Sequence, residues 1–468
     1  MRKVILLLGS IICTTLPVFS DANFPFPQNV TYGYGIKPTN VKSEDVQKCY
    51  DVFMQNYYEE SGDLARIKWD IPAQTVSEGI GYGMLGLVYM ENSKNNTQSK
   101  FDKLWNYYKK FSNGNHLMHW LIDGFSGVIK SNAATDAELD VGVALLMAYK
   151  QWGDERYLTD AKELINNIWK SEVNQNKYLK PGDAWDTKKN PSYFSTAAIK
   201  LFSAVDTDHD WTTVFKNSND LLKKCRNSTT GLVPDWCSES GVNLDTDFYY
   251  DAVRTPWRIA WSYLWFGDED SKDIAGKMGS WISKETGGDA SKVVDGYKLD
   301  GQHRGSWNSV IYVGAFGCAG LVDPNLQDWC DETYSYLRGV TGEDTYFGKS
   351  LQLLTMLLMT GNMPRFGDST AVLPSRNKTS INGISIAARA RNGLITIKYS
   401  NAKSSKVKIS LFEGSGRRIA NVFNGYSSNQ ENHTVTLDLN GRMATNGMML
   451  VRLETPQGNL VCKVTNFF

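Results

Sequence analysis

Leu139-Asp140-Val141-Gly142-Val143-Ala144-Leu145-Leu146-Met147-Ala148-Tyr149 is apolar on nearly every side of a helical projection. A helix with so little polar surface has to be surrounded by protein. The next helical stretch, Asp160-Ala161-Lys162-Glu163-Leu164-Ile165-Asn166-Asn167-Ile168-Trp169, is apolar on one side only, as an outer helix is. This alternation runs from about Val41 to Asn362. About twelve helical segments start near Ser43, Ser77, Gln98, Ala134, Glu155, Pro191, Asp210, Asp251, Asp270, Gly305, Asn325 and Thr345. Many of these starts are Ser, Asp or Asn, whose side chains cap free backbone N–H groups. Connections are long after alternate segments and hold most of the Trp, Tyr, Gly and Pro. The pattern predicts an all-α (α/α)6 barrel, inner helices sheathed by outer ones, with long loops forming a groove at one end. Loops on a rigid scaffold commonly carry function. An α-solenoid is the rival architecture, but no sequence repeat recurs at a fixed period.

Beyond Pro364 the period changes from helical to two. Ile395/Ile397/Tyr399, Val407/Ile409/Leu411, Val435/Leu437/Leu439 and Met449/Val451/Leu453 alternate with polar residues. Turn signals stand between them at Asn392-Gly393, Gly414-Ser415-Gly416 and Asn446-Gly447. A small C-terminal β-sandwich of roughly 85 residues is expected. It contains no Trp, which favours an attachment or export role over sugar binding. At the other end, Arg2 and Lys3 precede an apolar run from Val4 to Val18, followed by Phe19-Ser20-Asp21-Ala22. That is the form of a cleaved signal peptide, and the run is short for a membrane span. The expected organisation is a signal peptide over 1–22, a helical domain over 23–363, a linker over 364–382 and a β-sandwich over 383–468. The mature protein is expected to be secreted or held on the outer cell surface, monomeric and without a membrane span.

Lys+Arg and Asp+Glu balance at 50 each in the 468 residues, so no global field favours nucleic acid. The 14 Trp and 23 Tyr fill a large core or supply stacking faces for a ligand with apolar faces, such as a sugar ring. Cys13 leaves with the signal. Of the other cysteines, Cys225/Cys237 and Cys318/Cys330 are spaced for local bridges, while buried free thiols fit equally well. No CxxC occurs and His116/His119 is the only close His pair, so a zinc site is not expected.

Hydrolysis of a glycosidic bond needs an acid for the leaving oxygen; inversion also needs a base to activate water on the opposite face. Three segments place carboxylates among glycines and aromatics. In Ser77-Glu78-Gly79-Ile80-Gly81-Tyr82-Gly83, alternate glycines permit close approach to Glu78; a helix-start Glu on the macrodipole is the plainer reading. Asp136, in Thr135-Asp136-Ala137-Glu138, opens the apolar helix as an N-cap or as a carboxylate at the barrel mouth. In Tyr249-Tyr250-Asp251-Ala252-Val253-Arg254, Asp251 and Arg254 can face one side of a turn, as a structural ion pair or as a base with its partner.

These three segments, in this order, resemble glycoside hydrolase family 8. The resemblance extends to Tyr32-Gly33-Tyr34-Gly35-Ile36-Lys37-Pro38, Leu117-Met118-His119-Trp120-Leu121-Ile122-Asp123, Asn190-Pro191-Ser192-Tyr193-Phe194, Ser350-Leu351-Gln352-Leu353-Leu354 and Gly361-Asn362. It implies an (α/α)6 barrel and inversion at the anomeric carbon. By matching motif positions, Glu78 resembles the general acid, Asp251 the general base, and Asp136 the carboxylate that binds the sugar at the cleavage point. Trp120 and Tyr250 resemble groove aromatics and Arg254 the partner that orients Asp251. Trp185, Tyr193 and Tyr346 transfer as substrate-binding residues on less similar surroundings. An Asp at position 251 places the chain with the bacterial endoglucanase-like branch, which implies an endo-acting β-1,4-glucanase on cellulose or mixed-linkage glucan. Xylan and chitosan are alternative substrates, and a non-catalytic polysaccharide-binding protein is the alternative of another class. A terpenoid-type enzyme on a related barrel would need an Asp-rich metal motif, which is not found. No metal or organic cofactor is expected. The C-terminal region resembles the sorting domain of the type 9 secretion system, on its terminal position, Gly414-Ser415-Gly416-Arg417-Arg418 and Asn446-Gly447-Met448-Met449-Leu450-Val451-Arg452-Leu453. That implies the secretion machinery as a partner.

Overall fold

The computed structural model describes residues 22–342, 345–367, 379–381, 384–391, 394–401, 403–413, 417–428, 433–438 and 447–466. The expected signal peptide through residue 21, most of the expected linker and the turns at Asn392-Gly393, Gly414-Ser415-Gly416 and Asn446 lie outside these residues.

Twelve α-helices occur among the described residues: α1 Ser43–Tyr57, α2 Ser77–Tyr89, α3 Gln98–Lys110, α4 Thr135–Trp152, α5 Glu155–Glu172, α6 Thr196–Ser203, α7 Trp211–Cys225, α8 Thr255–Phe266, α9 Glu269–Thr286, α10 Val310–Gly320, α11 Gln327–Gly339 and α12 Tyr346–Met359. The even-numbered helices touch in the order α2, α4, α6, α8, α10, α12 and back to α2, so they close a ring. Each odd-numbered helix from α3 to α11 packs on the even helix before it, and α1 packs on α12. Such a double ring buries the helices that are apolar all round inside those that are apolar on one side. Every residue of α10 is buried, and all but a few of α4. Two glycines let the inner helices meet: a Cβ at Gly142 would lie 2.6 Å from the Phe202 ring of α6, and one at Gly314 would lie 2.6 Å from Thr355 Oγ1 of α12. No helix among the described residues is long and apolar enough to cross a membrane.

Many helix starts follow local chemistry. Asp154, Asp210, Asp268, Ser309 and Thr345 each accept a hydrogen bond from the first turn of α5, α7, α9, α10 and α12. Asp136 does not: the N-cap of α4 is Ala134, and the Asp136 carboxylate points elsewhere. Three expected starts are displaced. Pro191–Tyr193 forms one 3-10 turn before α6, and Ala252–Arg254 another before α8. The helix expected from Gly305 begins at Val310, because the Ser306 and Trp307 N–H groups bond the Asp295 carboxylate instead of opening a helix.

Seven short strands brace the loops. They are β1 Tyr58–Ser61, β2 Leu64–Ile67, β3 Gln74–Val76, β4 Leu121–Asp123, β5 Gly127–Lys130, β6 Asp247–Phe248 and β7 Tyr297–Lys298. The C-terminal region holds β8 Thr379–Ile381, β9 Ile384–Arg391, β10 Leu394–Ser400, β11 Ser405–Glu413, β12 Arg418–Ser427, β13 His433–Asp438, β14 Gly447–Thr455 and β15 Gly458–Asn466. These form two four-stranded antiparallel sheets, ordered β13-β10-β9-β8 and β12-β11-β14-β15. The alternating residues Ile395, Ile397, Tyr399, Val407, Ile409, Leu411, Met449, Val451 and Leu453 share one buried cluster between them. Cys49, Cys225, Cys237, Cys318, Cys330 and Cys462 are buried free thiols.

Candidate active site

Several inner helices begin at the same place. Glu78 is the second residue of α2, Asp136 the second of α4 and Tyr346 the first of α12; Tyr193 stands just before α6 and Arg254 just before α8. Helix N-termini carry partial positive charge, and carboxylates are stabilised there. The helix-start reading of Glu78 and its clustering with other site residues therefore hold together.

Small sheets bring the loop residues in. Strand β3 runs directly into α2, and it pairs with β4 through Val76 and Leu121, so Trp120 stands beside the start of α2. The Ser77 N–H donates to the Trp120 carbonyl, and the Trp120 N–H to that of Asn132. Strands β6 and β7 pair in the same way, setting the Tyr250–Asp251 turn against the loop that begins at Asp295. The glycines of α2 serve close approach: a Cβ at Gly79 would meet the Tyr346 hydroxyl at 3.1 Å, and one at Gly81 would meet Asp140 Cβ at 3.1 Å.

Arg254 gathers the carboxylates. Its Nη1 donates to Glu78 Oε2 and, at 2.8 Å, to Asp136 Oδ2; its Nη2 donates to Asp251 Oδ1 at 2.9 Å. The guanidinium is 6% exposed, Asp136 2%, Glu78 17% and Asp251 33%, so the cluster runs from the protein interior to solvent. The Tyr346 hydroxyl donates to Glu78 Oε1 at 3.0 Å. Burial, and then the charge of Glu78, push that phenol well up, so it remains a proton-bearing donor. Trp236 Nε1 donates to Asp251 Oδ2 at 3.1 Å, which leaves the two Asp251 oxygens with one donor each from Arg254 and Trp236. Asp235 Oδ1 accepts from the Tyr249 and Ala252 N–H groups and so holds the turn that carries Asp251.

One positive charge faces three acidic groups. Burial pushes the Asp136 carboxyl up to about 7 against the pull of Arg254, and the charge of Glu78 adds to the rise. Behind it, Arg258 and Asp140 form a fully buried two-pronged ion pair, at 3.0 and 2.6 Å.

The aromatics divide. Trp120, Trp185 and Tyr250 are 37%, 38% and 40% exposed and present ring surface to solvent. Tyr193 lies under Arg254, whose Cζ is 5.2 Å from the ring centre. Tyr346, expected among the substrate-binding aromatics, is 1% exposed and has no free ring face; it reaches the site through its hydroxyl. Trp236 and Asp235 were not singled out in the sequence. The Cys237 segment pairs with Lys189, which brings Trp236 to within 5.6 Å of Trp185, and no local pattern announces either contact.

The chain matches the family model described as "Glycosyl hydrolases family 8" over residues 31–361. It is 34% identical to Endoglucanase 2 of Ruminiclostridium josui, over 76% of this chain and 80% of that one. Beta-glucanase of Niallia circulans is 34% identical, over 74% of this chain and 92% of that one. Among solved structures, the apo structure of a β-1,3-1,4-glucanase from Paenibacillus sp. X4 matches with a TM-score of 0.69 and 32% identity, over 73% of this chain and 98% of that one. Rex8A from Paenibacillus barcinonensis in complex with xylose shares the fold, with a TM-score of 0.62 and 21% identity over 75% of this chain and 98% of that one.

Proposed function

This chain belongs to glycosyl hydrolase family 8, and we propose that it is an inverting, endo-acting hydrolase of β-1,4-glucan, on cellulose or mixed-linkage glucan. The observation that carries the reading is the Arg254 guanidinium holding Glu78, Asp136 and Asp251 together. Glu78 gives its proton to the leaving oxygen, with the Tyr346 hydroxyl on its other oxygen. Asp251, the most exposed of the three, takes a proton from water on the opposite face of the sugar. Arg254 and Trp236 leave that carboxylate little freedom to turn away from the water. Among the described residues Asp136 Oδ1 has no hydrogen-bond partner, and it is buried. It hydrogen-bonds a hydroxyl of the sugar at the cleavage point, which helps hold that ring in a flattened, oxocarbenium-like shape. Trp120, Trp185 and Tyr250 offer stacking faces along the chain. The relatives named endoglucanase and β-glucanase support a glucan backbone, as does the solved β-1,3-1,4-glucanase.

The test offers the full chain carboxymethyl-cellulose, mixed-linkage β-glucan, xylan and chitosan, with Glu78→Gln as control. Rapid viscosity loss on a glucan, absent in the variant, is expected. Cleavage of xylan or chitosan alone would move the substrate to that polymer. Binding without cleavage of any of the four would turn the reading to a polysaccharide-binding protein.

The C-terminal sheets are assigned to export through a secretion-sorting role. The reading rests on the motifs Gly414-Ser415-Gly416-Arg417-Arg418 and Asn446-Gly447-Met448-Met449-Leu450-Val451-Arg452-Leu453 and on the absence of Trp after residue 382. Together with the signal peptide expected over residues 1–22, it makes the protein secreted or held on the outer cell surface. Cell fractionation of the full chain and of a chain ending at residue 367 checks this, and equal export of both would contradict it.

A further inference from the structure

Trp307 is 76% exposed. Its surroundings are nonetheless tightly built. The Ser306 and Trp307 N–H groups both donate to Asp295 Oδ1 at 2.9 Å. The Asn308 side chain donates to the Ala290 and Val293 carbonyls at 3.1 and 2.7 Å. A Cβ at Gly305 would lie 2.0 Å from Asp295 Oδ1, so only glycine lets the loop wrap this carboxylate. Successive N–H groups around one anion form a rigid nest. Backbone and side chains are thus committed to holding a loop whose indole gains almost no burial for the fold.

The loop sits beside the acidic cluster. Asp295 is 7% exposed, and its other oxygen accepts from the Tyr250 hydroxyl at 3.3 Å. Tyr250 is half-exposed and directly precedes Asp251. Trp307 stands just before α10, at the same end of the inner ring where α2, α4, α8 and α12 bring Glu78, Asp136, Arg254 and Tyr346. One buried carboxylate therefore sets the spacing between an aromatic next to the proposed base and an aromatic further out.

We propose that Trp307 is a stacking platform for a sugar ring of the substrate, beyond the rings that meet Asp136 and Tyr250, and that it gives preference to longer chains. The inference rests on the glucan reading of the site. An indole face matches the apolar C–H face of a β-linked pyranose. The loop is already ordered, so binding there costs little conformational freedom.

The experiment measures kcat and KM of the full chain, Trp307→Ala and Trp307→Tyr on β-1,4-gluco-oligosaccharides from trimer to hexamer. The ratio of kcat/KM for hexamer to that for trimer should fall about tenfold in Trp307→Ala, chiefly through KM, and recover in Trp307→Tyr. Wild-type chain that cuts these oligomers, with the ratio within about twofold in Trp307→Ala, would overturn the platform and leave the glucan reading standing. Wild-type chain that cuts none of them would overturn the glucan reading and the platform with it. Sedimentation of the same proteins covers the remaining occupant: a wild-type dimer that Trp307→Ala dissociates, together with an unchanged ratio, would make the face a contact between copies and overturn the proposal.

Discussion

Arg254 distributes a single positive charge over Glu78, Asp136 and Asp251, using Nη1 for the first two and Nη2 for the third. A planar fork can do this; the point charge of lysine cannot reach all three. Arg254→Lys should lower kcat about a hundredfold or more while the protein stays folded, as steady-state kinetics and circular dichroism will show. The excess of acid over base around this residue also has a consequence for stability. Asp136 has an ordinary value of 3.8, and burial raises it to about 7. The folded state therefore keeps a proton that the unfolded state releases between about pH 4 and pH 7. That contribution to stability is complete below about pH 4 and is lost as pH rises through about 7. Asp140 and Asp235, each raised by burial to about 6, act in the same direction over a narrower range. Asp136→Asn has no such proton to lose, so its melting temperature should fall less between pH 5 and pH 8 than that of the wild type. An equal or larger fall would contradict the raised carboxyl.

At the scale of elements, α4 and α8 are joined inside the ring by the Arg258–Asp140 pair, with both side chains 0% exposed. Removing one partner strands a buried charge. Asp140→Ala should cost about 3–5 kcal/mol in denaturant unfolding, far more than loss of an exposed pair. Replacing both residues by apolar ones of similar volume should restore much of it. The helix starts show what is local and what is not. Asp154, Asp210 and Asp268 cap helices whose starts were legible within a residue or two, because a cap bonds its own first turn. Asp136 looks the same in sequence, yet its partner Arg254 is 118 residues away, and nothing local distinguishes the two cases. The start of α10 was misplaced for a similar reason: Gly305–Asn308 belong to the Asp295 carboxylate and to carbonyls upstream of it.

For the whole molecule, the ring was legible because inner and outer helices differ in composition along their full length. The exposed Trp120 and Tyr250 and the three carboxylates lay within recognisable motifs. What stayed hidden were contacts that only closure of the ring creates. Trp236 reaches Asp251 from fifteen positions away in the chain, and Tyr346 shows its buried ring and its bond to Glu78 only when α12 closes against α2. The same closure sets Glu78 on the guanidinium of Arg254, 176 residues further along the chain, beside Asp251. The central claim, that Glu78 and Asp251 act from opposite faces of the sugar with a water between, is tested most directly by the anomeric form of the first product. Proton NMR during the opening minutes of β-glucan hydrolysis should show the α-anomer appearing first and mutarotating to β afterwards. Initial release of the β-anomer would mean retention, and would contradict the assignment of Asp251 as a base acting on water.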